Sequence, residues 1–210
     1  MKKLFFLLLM MISVVCAQAQ EPYCCLTQGA VLTYTDYDAD GKEAGTTKQT
    51  LKEVKGSGDN YDITILAEVN AAGTSTSMEM NMGVKDGGAL INIGGGTIDV
   101  TATDMDMLTV PNKLAVGYKL PLGEMIVNVA GIRVKSTIVE NEVIGREEIT
   151  TPAGTFKCYI IQQVSEGRVF GMKTQSTQKM WVARGVGNVK TETYSSGKLA
   201  SSSILTSFTK

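Results

Sequence analysis

Tyr61-Asp62-Ile63-Thr64-Ile65-Leu66-Ala67-Glu68-Val69-Asn70 alternates apolar and polar side chains over its whole length. Tyr61, Ile63, Ile65, Ala67 and Val69 share one face. Asp62, Thr64, Glu68 and Asn70 share the other with Leu66. A period of two is the signature of a strand with one buried face, because successive side chains of an extended chain point to opposite sides. After Ala72-Gly73 the pattern resumes, with Met78, Met80, Met82 and Val84 on one face and Glu79, Asn81 and Lys85 opposite. Asp86-Gly87-Gly88 then marks a hairpin, since Asp and Gly accept the positive φ that tight hairpin turns require.

The same reading extends in both directions. Upstream, residues 31–38 and 46–55 are strands around the turn Asp38-Ala39-Asp40-Gly41-Lys42. Downstream, residues 125–129, 132–139, 142–150, 155–164, 173–182, 187–194 and 199–208 repeat the alternation between turn signals. Residues 97–108 read as a strand or a brief helix, and 111–123 as a proline-marked connection. About a dozen strands joined by short turns predict antiparallel meanders. The fold class is therefore all-β: a large, strongly curved antiparallel sheet or incompletely closed β-barrel, with at most one short helix.

The N-terminus reads as a targeting segment. Lys2 and Lys3 precede an apolar run from 4 to 15, and Ala17-Gln18-Ala19 has the small-x-small form of a cleavage site. This predicts a signal peptide over 1–19, cleavage after Ala19 and one β-rich domain over 20–210. The competing reading is lipidation at Cys16, although Val15 stands where a lipobox has a small residue. Either way the chain is expected to be exported, to the periplasm, the outer membrane or the extracellular side, with no membrane span left after processing.

Composition excludes several function classes. The 210 residues contain no histidine, so histidine-based triads, dyads, zinc sites and haem ligation are out. Lys+Arg number 20 against 21 Asp+Glu, which leaves no basic footprint for nucleic acid. Cys24, Cys25 and Cys158 remain beyond the leader. Export permits a disulfide between Cys158 and either Cys24 or Cys25, with three free thiols as the alternative.

Local motifs carry little chemistry. Asp36-x-Asp38-x-Asp40-Gly41 opens like a calcium loop, but its twelfth position is Thr47 in place of a bidentate Glu, and strands flank it. It is expected to be a structural hairpin. Ser176-x-x-Lys179 and Ser195-x-x-Lys198 have the serine–lysine spacing without the helix that would put both on one face. Gly94-Gly95-Gly96-Thr97 lacks the lysine of a phosphate loop. No catalytic residue, metal site or cofactor is expected. Met78, Met80 and Met82 are different: flexible, polarisable thioethers on one face suit either an adaptable apolar ligand surface or a core short of aromatics.

Four stretches recur in a recognisable order. Gly29-Ala30 leads to Tyr34, Tyr37-Asp38 and Gly41-Lys42; Val110-Pro111-Asn112 leads to Leu114, Val116-Gly117 and Leu120. Then come Thr151-Pro152-Ala153-Gly154-Thr155-Phe156-Lys157-Cys158-Tyr159 and Trp181-Val182-Ala183-Arg184-Gly185-Val186-Gly187-Asn188-Val189-Lys190. This order resembles the TapB-like exported β-proteins of Bacteroides-type bacteria, a family without an assigned activity. The resemblance implies an envelope or secreted location and a β-rich fold, and it adds no catalytic residue. It also implies a partner for Cys158 near the mature N-terminus, where the cysteine is doubled here.

The resulting expectation is a non-enzymatic exported protein that binds an apolar ligand or an envelope protein partner on a curved sheet. An assembly role through an exposed edge strand is the alternative. A hydrolase with an unrecognised carboxylate site ranks last.

Overall fold

The computed structural model describes residues 20–210 apart from 93, 96–97, 103–104, 130–131 and 170–171. The expected leader and Cys16 lie outside the described residues. The strands are β1 (Val31–Asp38), β2 (Glu43–Ser57), β3 (Asn60–Ala71), β4 (Thr74–Lys85), β5 (Gly88–Asn92), β6 (Gly94–Gly95) and β7 (Ile98–Ala102). They continue with β8 (Thr109–Val110), β9 (Gly123–Val129), β10 (Ile132–Thr151), β11 (Gly154–Val169), β12 (Met172–Ala183), β13 (Gly187–Ser195) and β14 (Lys198–Thr209). The all-β expectation holds. Within 97–108, read as a strand or a brief helix, the described residues form strand β7 and one 3-10 turn, Met105–Leu108.

All fourteen strands belong to one sheet, in the order β6-β7-β9-β10-β11-β12-β13-β14-β1-β2-β3-β4-β5-β8. The chain's two ends meet in the middle, where β14 pairs with β1. Three hairpins use two-residue turns with both residues at positive φ: Ala72-Gly73, Asp86-Gly87 and Ser196-Gly197. This geometry follows the right-handed twist of the strands it joins. At the far end β6 comes back beside β4, so the sheet curls round towards itself.

Residues 132–139 and 142–150, read above as two strands, are one twenty-residue strand, β10. Its register against β11 shifts between Ile138 and Glu140 and again between Val143 and Gly145. Such bulges bend a strand without ending it, so their local irregularity reads as a break in the alternation. The connection over 111–122 lies along β10: Gly117 N–H and Leu120 N–H donate to the Val143 and Asn141 carbonyls, and Val143 N–H donates to the Tyr118 carbonyl. Asn141, 4% exposed, donates its amide to the Met107 and Pro121 carbonyls and pins that connection from below.

The core follows the predicted faces. Ile63, Ile65 and Ala67 are buried, and their strand neighbours Asp62 and Asn70 are exposed. Register carries this face across the sheet: Leu32 pairs Gln49, Gln49 pairs Ala67 and Ala67 pairs Met78. Beside that row, Leu51 pairs Ile65 and Ile65 pairs Met80. This face of β1–β4 is thus a largely apolar surface, with Gln49 as the polar member of the first row.

Candidate functional site

The N-terminal arm, residues 20–26, closes one end of the curl. Tyr23, Cys24 and Cys25 are each 3–4% exposed, so the arm is part of the core. Its dock is the turn between β12 and β13. Gly185 N–H donates to the Pro22 carbonyl at 2.9 Å. Arg184 donates to the Glu21 carbonyl, to Asn112 Oδ1 and to the Asn112 carbonyl, with its guanidinium 4.4 Å from the Tyr23 ring centroid. Gly187, at φ +102, has Tyr23 O and the Cys24 Cα within 3.6 Å of where a Cβ would stand. Glycine there allows both the backbone conformation and the approach of the arm. The Ala-Arg-Gly-Val-Gly stretch of the sequence is therefore an arm-docking turn.

Between arm and sheet lies a hollow of about 280 Å3. Leu32, Leu51, Ile65, Met80 and Met82 form one wall, and Met180 and Val182 of β12 face them from the other half of the curl. Tyr23, Cys24 and Cys25 cap it. Polar groups are few: Thr47, Gln49, Asn81, Asn188 and Ser203 reach its rim or wall, and the Tyr34 hydroxyl donates to the Asn188 carbonyl at 3.0 Å. Burial raises the Tyr34 phenol pKa, with Cys25 adding to the effect, so this hydroxyl stays protonated. Such a site can hold an apolar body by contact, with a few neutral hydrogen-bonding groups at its edge.

Of the three methionines expected on an apolar ligand face, Met80 and Met82 line the hollow. Met78 shares their face of β4, one strand row further out, and does not line it. Met180, Tyr23 and Arg184 carried no local signal marking them for this site. Their roles depend on strands and an arm far apart in sequence.

The expected bridge to Cys158 is absent: Cys24, Cys25 and Cys158 are all free thiols. Cys158 Sγ leans to the Phe156 carbonyl at 3.7 Å, on the side of β11 that Glu147 approaches. Burial pushes both the Cys24 and Cys158 thiols up to about 12, Cys25 adding to the first and Glu147 to the second. They are core-packing groups, inert as nucleophiles at neutral pH.

The aspartates of the calcium-like stretch make a turn. Asp38 Oδ1 accepts from Asp40 N–H and Lys42 N–H at 3.0 and 2.9 Å, and Asp36 Oδ2 accepts from Thr47 Oγ1 at 3.0 Å. Among the described residues no group of three or more acidic or cysteine side chains is placed to hold a metal ion. Among them, too, no helix is long and apolar enough to cross a membrane.

Fold and hollow together define an all-β protein with one curled antiparallel sheet, its N-terminal arm folded into the open end. The chain belongs to the DUF3108-like family, whose model matches residues 27–205. Two solved structures share the fold. One is a Bacteroides fragilis protein assigned as exported, with a YmcC-like fold: TM-score 0.76 and 19% identity, covering 90% of this chain and 100% of that one. The other is a Parabacteroides distasonis protein assigned as a lipoprotein: TM-score 0.76 and 20% identity, covering 91% of this chain and 100% of that one. No curated protein matches the chain. The narrower TapB-like kinship rests on the motif order alone.

Proposed function

We propose that this is a non-enzymatic exported protein of the cell envelope that holds a small apolar ligand in the curl of its sheet. The observation that carries the reading is the hollow, with Met80, Met82 and Met180 among its apolar walls. Its volume lies just below the ~300–1,000 Å3 usual for ligand pockets, and methionine walls adapt to an occupant's shape. The leader-like segment over 1–19 supports export, and the names of the two structural neighbours agree with it.

Native mass spectrometry of the protein purified from its own cells tests this. A reproducible added mass, lost on denaturation, is the expected result. A bare chain, together with no uptake of an added apolar probe such as decanol, would refute the reading.

A second reading, assembly by strand addition, has one observation in its favour. β5 pairs only with Asn81–Lys85 of β4, and β6 comes beside β4 without a described ladder to it, so among the described pairings Thr74–Ser77 hydrogen-bond only to β3. Residues 74–77 there are exposed. Proline at Ser75 or Ser77 would block strand addition and leave apolar uptake unchanged.

A further inference from the structure

Next to the hollow is a larger cleft, about 690 Å3, walled by Lys113, Arg146, Lys157 and Arg184 with Glu148 as its single carboxylate. Four cations against one acid is unusual in a chain whose overall charge is −1. Glu148 stands opposite Lys157 in the β10–β11 register and the Glu21 carboxylate lies at the Arg184–Gly185 turn, which leaves Arg146 and Lys113 as the cations of the cleft with no carboxylate beside them. None of the four belongs to an ion pair among the described residues. Arg184 spends its donors on neutral acceptors, the Glu21 and Asn112 carbonyls and Asn112 Oδ1. Arg146 lies over the Tyr159 ring, 5.6 Å from its centroid, and Lys113 and Lys157 are exposed. A guanidinium on an aromatic face is held in place yet keeps its charge for a ligand.

Cleft and hollow are contiguous. Register puts Arg146 opposite Tyr159, Tyr159 opposite Val182 and Val182 opposite Asn188, one cross-strand row on one face of β10–β13. Arg146 and Tyr159 line the cleft, whereas Val182 and Asn188 line the hollow. Tyr23 lines both, and its ring meets Tyr159 edge-on at 6.2 Å. Three strand spacings of ~4.8 Å make the row about 14 Å long.

We propose that hollow and cleft are one site for a single-chain anionic amphiphile. The apolar tail occupies the hollow, and a phosphate-type head lies among Arg146, Lys157 and Lys113. This rests on the apolar-ligand reading above and names the class of its ligand. The small hollow takes one chain, and the cations select the head.

Calorimetric titration with decyl phosphate, decanol, decyltrimethylammonium and inorganic phosphate, each as monomer, separates the two readings. Decyl phosphate should bind at least tenfold more tightly than decanol, with the trimethylammonium compound weakest. The double variant Arg146→Gln/Lys157→Gln changes two exposed side chains and should bring decyl phosphate to the affinity of decanol, which itself stays unchanged. Raising the salt concentration on the unaltered protein should have the same selective effect, independently of any folding defect. Equal binding of decanol and decyl phosphate would overturn the amphiphile while the apolar ligand survives. Inorganic phosphate binding as well as decyl phosphate would show a cleft unconnected to the hollow, and would overturn it too. If no decyl compound binds, both readings fall.

Discussion

The guanidinium of Arg184 lies 4.4 Å from the ring centroid of Tyr23, and the same group holds the Glu21 carbonyl and both oxygens of Asn112. One side chain on the β12–β13 turn thus ties the N-terminal arm to the connection that follows β8. Burial raises the Tyr23 phenol pKa and the nearby Arg184 charge works against that rise, as expected of a ring packed under a cation.

Arg184→Met should keep the packing of the stem and lose the fork, at a cost of about 2 kcal/mol in urea unfolding. Limited proteolysis should then cut the arm between Gln20 and Leu26, which the unaltered protein resists. Arg184→Lys should not restore resistance, because an ammonium cannot reach two planar acceptor sets while covering a ring. An arm as resistant in Arg184→Met as before would show that Gly185 and the buried cysteines hold it unaided.

The thiols give a test in pH. Cys24 and Cys158 have pKa values of about 12 against 9.0 for the free side chain. A thiol is neutral when protonated, so a raised folded-state pKa stabilises fully below pH 9. That contribution is lost as pH rises from 9 towards 12, where only the unfolded chain ionises readily. Stability should therefore fall through this window, and Cys24→Ala/Cys158→Ala should flatten the fall. At pH 8 in a Cys25→Ala background, labelling of Cys24 and Cys158 in the folded protein should be roughly a thousandfold slower than in denaturant, following the thiolate fraction. Prompt labelling of either residue without unfolding would contradict the burial.

Leu51 is 2% exposed and is part of the hollow's wall. Leu51→Ala should cost ~2–5 kcal/mol, transfer and cavity terms together. Met80→Leu keeps the volume and should cost less than ~1.5 kcal/mol. Urea midpoints of the two variants decide this. A cheap Leu51→Ala would mean that this wall collapses inward and the hollow is not a standing cavity.

Asp38 tests the calcium-like stretch. Asp38→Asn keeps an oxygen for Asp40 N–H and Lys42 N–H and should leave stability nearly unchanged, whereas Asp38→Ala should cost about 1 kcal/mol. Calcium should not move the Tm of any of the three. A calcium-dependent rise in Tm that Asp38→Asn abolishes would restore the metal reading.

Much of this fold was legible in the order of residues. β1 has the bounds read from its alternation, residues 31–38, and the Ala72-Gly73 and Asp86-Gly87 turns fall where small and flexible residues marked them. β10 was not legible as one strand. A bulge flips the alternation exactly as a strand end does, and only the continuous pairing with β11 through Asn141 to Val143 tells them apart. The site was half legible. The face of Met80 and Met82 follows from period two, but Met78 shares that period and falls outside the hollow.

By itself, then, the amino-acid sequence determined where the strands run, which face of each is apolar and which chemistries the side chains cannot perform. These are local consequences of period two, turn residues and composition. The tertiary structure decided what those faces enclose. How far a fourteen-stranded sheet curls depends on twist and bulges summed over every pairing. That curl brings Met80 and Met180 to one hollow and sets Arg146 and Val182 in one row. It also puts Cys158 opposite Glu147 across β10–β11 and gathers it with Cys24 and Cys25 into one buried cluster in which all three remain free thiols. No stretch of chain contains these neighbours together, so no local pattern could announce them.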